Sequence, residues 1–365
     1  MLQGYLFDAN FGDMLSAYLF YKRCQDAGFE QVDFFQYKAY GIGQFCREQI
    51  GYTAKKSLLS CFFADALVII SGGSFWNDKS KPADAKVRFR RFVLPALFYQ
   101  LLHKPVYVLG VGGGPVDTPW LRQKMVKMLN KAKVVTFRDE ETKKIFDGYG
   151  VKETAVTTAD TLLTINEFML DKLQEKVELE TAARGRKKLL LHIPDGTPGV
   201  TCVADVILPA LIRFLHSHDD YLIVLSHDNI REKGEKEQRK IDQIRTTLTD
   251  AGIDYFDYDY HDCWQMCSLL AEMDCVITLK LHVGAIAAAL GKSVVSFPIH
   301  REKTDYFYQM IGEYDRCVNV SLLDTETAYS QIQRFHDRPV RISDELRKKA
   351  EMNLSVLDEV ARRKC

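Results

Sequence analysis

The chain carries no excess of charge: 49 lysines and arginines stand against 49 aspartates and glutamates, a formal net charge of zero. Without a global field there is no electrostatic case for a nucleic acid or an anionic membrane as partner, and basic clusters such as Arg88–Arg91 read as solvated helix faces. No apolar run approaches membrane-spanning length, and the opening residues MLQGYLFDAN lack a basic region followed by a long apolar core. The expectation is a cytoplasmic protein without an integral membrane segment, any membrane contact being peripheral. The nine cysteines are scattered, without CxxC pairs or Cys/His metal spacing, which argues against a zinc site or a disulfide framework. Cys263 and Cys267 lie four apart inside an apolar helical pattern, so reduced, partly buried thiols are expected.

What is present fits a soluble globular chain, with 47% hydrophobic and 27% charged residues. Its 365 residues are too many for one ordinary core and point to two domains. Strand-like apolar runs at Leu2–Phe7, Val32–Tyr37, Ala66–Ser71, Val106–Gly110, Val134–Arg138 and Ala155–Thr158 alternate with helical patterns at Asp13–Ala27, Val87–Leu102, Trp120–Lys131 and Glu140–Tyr149. The charged stretch Asn166–Lys188 interrupts this rhythm and reads as a helix plus linker. A second block follows, with strands at Leu189–Ile193, Tyr221–Ser226, Asp254–Tyr258, Cys275–Leu279 and Ser293–Phe297. Its helices are Val203–His216, Glu232–Ala251, Trp264–Glu272 and an alanine-rich segment. Such alternation implies parallel strands joined by crossover helices. The architecture expected is α/β, with two doubly wound Rossmann-like domains facing across a cleft, at 1–175 and 186–335, and a C-terminal capping helix at 340–365. Ligand is expected between the carboxyl ends of their strands.

Several polar residues fall at predicted strand ends. Asn10-Phe11-Gly12-Asp13 opens the first helix, where Gly12 allows close approach and Asp13 either caps the helix or contacts a ligand. Ser71-Gly72-Gly73-Ser74 and Gly110–Gly114 read as glycine-rich loops, but neither is a Walker loop or a full dinucleotide fingerprint. Arg138-Asp139 and Ala159-Asp160 end strands; a helix cap or turn accounts for each as readily as a ligand contact does. In the second half His192, His227 and His282 all follow strands, which shifts the odds toward function. Their chain separation is not that of a zinc motif, so no metal is expected. Ile277–Pro298 is the densest signal, a buried strand ending in Lys280 and His282 and then a small-residue helix whose N-terminus favours anions.

Taken in order, these elements resemble the polysaccharide pyruvyl transferase family. The resemblance runs from Asn10 to Gly312 and rests on Asn10–Asp13, Gly72-Gly73-Ser74, Gly110–Gly114, Phe137-Arg138-Asp139 with Gly150-Val151, Ala159-Asp160, Lys280-Leu281-His282 and Lys303 in HREKTDYFYQMIG. It implies a GT-B-like fold and transfer of pyruvate from phosphoenolpyruvate onto two sugar hydroxyls of a polysaccharide or glycan precursor as a cyclic ketal, with no cofactor. It also implies His282 as the catalytic residue. Lys280, His192, His227, Val283, Gly284, Ala285 and Lys303 would lie on the donor side. Asn10, Gly12, Asp13, Gly72, Gly73, Ser74, Arg138 and Asp160 would lie on the acceptor side. The partners implied are phosphoenolpyruvate and a sugar or lipid-linked precursor. Two positions depart from the family, which keeps Arg-Leu-His where this chain has Lys280-Leu281-His282, and an arginine where it has His192. Lysine cannot grip a carboxylate or phosphate bidentately. A nucleotide-sugar glycosyltransferase with Asp228 at a ribose, or a lapsed family member acting as a scaffold, are the other readings.

Overall fold

The computed structural model describes residues 1–4, 10–35, 54–55, 59, 62–78, 80, 82–227, 233–299 and 301–362. Asp228, residues 5–7 and 36–37 of two expected strands, residue 232 of an expected helix and residue 300 of the Lys303 segment lie outside these. The chain divides into two units. The first is Met1–Thr164 with Asp344–Cys365, and the second is Ile165–Ser343. The last helix, Asp344–Arg362, thus belongs to the first unit.

Unit 1 contains the strands β1 (Leu2–Gln3), β2 (Phe34–Phe35), β3 (Ala54–Lys55), β4 (Leu67–Ile69), β5 (Gly72–Asn77), β6 (Val106–Val116), β7 (Val134–Phe137) and β8 (Val156–Thr157). They form one sheet in the order β3-β2-β1-β4-β6-β7-β8, with β5 also on β6, and every pairing is parallel. Unit 2 contains β9 (Lys187–His192), β10 (Tyr221–Ser226), β11 (Tyr255–Asp257), β12 (Cys275–Thr278) and β13 (Ser293–Ser296), in the order β11-β10-β9-β12-β13, again parallel. Leu189, Leu190, Leu191, Ile223, Val224, Val276, Ile277 and Val294 are all fully buried. This is why these strands read as continuous apolar runs rather than alternating ones: helices cover both faces.

The glycine-rich stretches are not loops. Residues 72–77 and 106–116 are paired strands, with Gly72 opposite Val111 and Phe75 opposite Gly113 across register shifts. A Cβ on Gly113 would overlap the Phe75 carbonyl oxygen, and one on Gly112 would overlap the Arg138 guanidinium. The glycines therefore permit close packing within the sheet.

Both units contain a helix with a π turn just before a proline. Phe89–Val93 precedes Leu94–Leu101, and Val203–Ile207 precedes Leu208–Leu215. Pro95 and Pro209 have no N–H for the carbonyl four residues back, and a wider i+5 turn accommodates the gap. The helix Thr197–Leu215 is long and apolar enough to cross a membrane, although no such span was expected from the sequence. Its Val200, Val203, Ile207, Leu208, Leu211 and Phe214 are fully buried in the core of unit 2. That core explains its apolarity.

Candidate functional site

The strand order of unit 2 reverses between β9 and β12. Chain connections leave β9 toward β10 and β11 and return on the other side to β12 and β13, so a crevice opens at the carboxyl ends of β9 and β12. His192 is the last residue of β9 and Thr278 the last of β12. Both are fully buried, and Thr278 Oγ1 lies 3.1 Å from His192 Nδ1. The same hydroxyl accepts from the Lys280 amide at 3.0 Å. One buried threonine thus fixes the imidazole and the backbone that presents Lys280.

Lys280 is extended (φ −108°, ψ 134°) and stands at the N-cap of the helix Leu281–Ala289, without a side-chain bond to its first turn. The uncapped first turn leaves the positive end of the helix dipole at this edge. The Lys280 ammonium forms an ion pair with Asp195, their side chains 24% and 26% exposed. Asp195 sits in the turn after β9, where Gly196 takes φ +91° and its amide donates to buried Glu237 at 3.1 Å. His282 is half-buried in the first helical turn, and half-buried His227 directly follows β10. Val283, Gly284 and Ala285 are buried, and the Gly284 amide donates to the Lys280 carbonyl within the helix. Gly284 is required by packing, since a Cβ there would lie 2.5 Å from the Tyr308 hydroxyl. Lys303 is exposed on the helix Arg301–Met310, which packs against Leu281–Ala289.

The residues expected on the acceptor side fall in unit 1. Asn10, not Asp13, caps the first helix: its Oδ1 accepts from the Asp13 amide at 3.4 Å. Gly12 is buried, while Asn10 and Asp13 are half-buried. Gly72 and Ser74 are buried and Gly73 half-buried on β5. Arg138 is buried between Asp139 at 3.5 Å and Asp160 at 3.4 Å. Asp139 also caps the helix Glu140–Gly148 through the Thr142 amide at 2.7 Å, and Asp160 accepts from the Leu162 amide at 3.0 Å. Arg88 is not a solvated cation. It is 6% exposed, pairs with Asp84 at 2.8 Å and donates to the Ser74 carbonyl at 3.0 Å.

Sequence reasoning missed Asn353. It comes from the last helix and is fully buried beside Gly110 in the middle of β6 and at the carboxyl ends of β7 and β8. Its Oδ1 accepts from the Thr136 and Thr158 hydroxyls at 2.7 and 2.9 Å. Its Nδ2 donates to the Ala159 carbonyl at 2.9 Å and Thr161 Oγ1 at 3.2 Å. The only signal was one polar residue on the apolar stripe of an amphipathic helix. Thr278 and Asp195 were likewise passed over, although they lie two residues before Lys280 and three after His192. Among the described residues, no group of three or more His, Cys, Asp or Glu is placed to hold a metal.

The family model for polysaccharide pyruvyl transferase matches residues 10–301. Among curated proteins none matches the chain in sequence. Solved structures match it in fold along nearly its whole length. UDP-GlcNAc 2-epimerase from Methanocaldococcus jannaschii gives a TM-score of 0.65 at 9% identity, covering 95% of this chain and 96% of that one. The Neisseria meningitidis epimerase bound to UDP-GlcNAc gives 0.63 at 10%, with 95% and 96% covered. Anabaena HepE in complex with UDP gives 0.55 at 11%, with 100% and 98% covered. The fold is the two-domain, GT-B-like α/β arrangement.

Proposed function

The chain belongs to the polysaccharide pyruvyl transferase family, and on that premise we propose that it moves a pyruvyl group from phosphoenolpyruvate onto two hydroxyls of a sugar in a glycan precursor, forming a cyclic ketal in the cytoplasm. The observation that carries the reading is the convergence of His192, Thr278 and Lys280 at the switch point of unit 2, beside an uncapped helix N-terminus. Phosphoenolpyruvate is an anion with a carboxylate and a phosphate. A lysine ammonium and first-turn amides are the groups that hold such charges.

His282 protonates C3 of the donor, leaving an oxocarbenium-like C2 that one sugar hydroxyl attacks. The C2–O bond to phosphate breaks, the second hydroxyl closes the ketal, and phosphate departs. Of the two hydroxyl protons, one replaces the proton given to C3 and the other leaves with phosphate. Lys280 answers the donor's charge from the rim of the site. Asp195 holds that ammonium in place and also competes with the donor for it.

The test is incubation with phosphoenolpyruvate and a panel of sugar acceptors, reading phosphate release and the mass of a pyruvyl ketal on the acceptor. Turnover by the wild type and its loss in His282→Ala are expected. Full activity in His282→Ala would remove the role given to His282, and absence of any donor-dependent product would remove the reading. The UDP and UDP-GlcNAc bound to proteins of this fold favour one second reading, a nucleotide-sugar glycosyltransferase. Thermal-shift titration separates the two, because a ligand bound only by the folded protein raises its melting temperature. Stabilisation by phosphoenolpyruvate supports the first reading, and stabilisation by UDP-sugars alone supports the second.

A further inference from the structure

The uniform charge balance of the sequence conceals a basic face on unit 1. Besides the buried Arg88 and its partner Asp84, the helical segment 82–101 carries Lys86, Arg90 and Arg91, and Pro119–Lys131 carries Arg122, Lys124, Lys127 and Lys131 against no acid. The two run side by side and parallel. Phe89 meets Trp120 edge-on at 5.6 Å at one end, and Gln100 Nε2 donates to the Met128 carbonyl at 2.8 Å at the other. Trp120, Lys124, Lys127 and Lys131 recur at helical spacing, so they share one face of the second helix, and all four are exposed. Its opposite face, with Leu121, Met125, Met128 and Leu129, is buried.

Two features characterise this face. Some surface cations are answered by a nearby acid, as Lys22 is by Asp26, Lys176 by Glu272 and Lys240 by Asp205. Lys86, Arg90, Lys124, Lys127 and Lys131 form no ion pair among the described residues. The same two helices also expose large apolar groups: Leu101 is 73% exposed, Trp120 42% and Val87 39%. Unpaired cations beside tryptophan and aliphatic side chains are the composition of a surface that lies on an anionic bilayer, where lysines meet head groups and indoles settle at the interface.

We propose that the paired helices 82–101 and Pro119–Lys131 form a docking face for an anionic lipid bilayer. The face is held rigid by its buried side, so binding needs no ordering of a flexible segment. It is independent of the pyruvyl-transfer reading, although an acceptor carried on a lipid would require such a contact.

The test is co-flotation of the full-length protein, without substrates, with vesicles of phosphatidylcholine alone or mixed with phosphatidylglycerol. Binding is expected only to the mixed vesicles, and it should fall away at about 0.5 M salt as exposed charges are screened. The triple variant K124E/K127E/K131E should weaken partitioning on the order of a hundredfold or more, given the attraction each surface cation contributes. Trp120→Ala should lower what binding survives in salt. Equal binding to both vesicle types, no binding, or unchanged binding by the triple variant would each overturn the proposal. So would duplex RNA that displaces the vesicles and binds more tightly than they do, since the face would then be a nucleic-acid surface. A circular-dichroism melt of each variant, matching wild type, confirms that lost binding is not lost folding.

Discussion

Replacing Asn353 by leucine isolates the cost of a buried polar junction. The two side chains are similar in size, so no large cavity forms and the loss falls on hydrogen bonds. Four partners face Asn353, yet they are not equally stranded by its removal. The Thr158 hydroxyl keeps the Phe137 carbonyl within reach at 3.1 Å. The Thr136 hydroxyl proton and the Ala159 carbonyl lose the partners described here. Each buried group left unsatisfied costs about 1–3 kcal/mol, so the expected loss is about 4 kcal/mol. Against a typical stability of about 5–15 kcal/mol this is severe.

Asn353→Asp should be no milder. It keeps Oδ1 but turns a second oxygen toward the Ala159 carbonyl and buries a charge. Glu351→Ala is the control on the same helix. Glu351 is 43% exposed and pairs with Arg23 at 3.1 Å, so its removal should cost less than about 1 kcal/mol. The assay is urea denaturation, with hydrogen exchange at the Gly110 amide as a local probe, because that amide donates to Thr136 Oγ1 at 2.6 Å. Asn353→Leu within about 1 kcal/mol of wild type would refute the reasoning, since the network would then not secure the last helix to the strand ends.

Two further outcomes follow from the geometry. Asp195→Asn removes a carboxylate that competes for the Lys280 ammonium; because the pair is partly solvated, phosphoenolpyruvate should bind about 5–30-fold more tightly by calorimetry, and weaker binding would show that Asp195 serves to position Lys280. Gly113→Ala should cost about 2 kcal/mol or more in chemical denaturation, because the new methyl meets the backbone of β5 rather than a yielding side chain; wild-type stability would contradict the close pairing of β5 and β6.

Legibility in the sequence followed burial. The strands of unit 2 were readable almost to the residue, because strands covered on both faces are short apolar runs with polar punctuation. Tyr221–Ser226 is identical in both, and Cys275–Leu279 differs from β12 by one residue. The glycine-rich stretches were misread, since Gly72-Gly73 and Gly112-Gly113-Gly114 carry the composition of a turn. What they permit is an approach of two backbones, and no local pattern records that. The helix Thr197–Leu215 was read as shorter for a related reason: its first turn, Thr197-Pro198-Gly199, has the composition of a loop.

The sequence by itself determined most of the apolar strands and the helices between them, and that His192, His227 and Lys280 end or follow strands. These properties depend on neighbours a few residues away, and the periodicity of apolar side chains records them. Only the tertiary structure decided what those side chains meet. Lys280 faces Asp195 from 85 residues away, and Asn353 reaches Thr136 across 217. Such pairs are set by how strands are ordered in the sheet and by which unit the last helix joins. A carboxylate in a turn, or an amide on a helix, looks the same in the sequence whatever its partner.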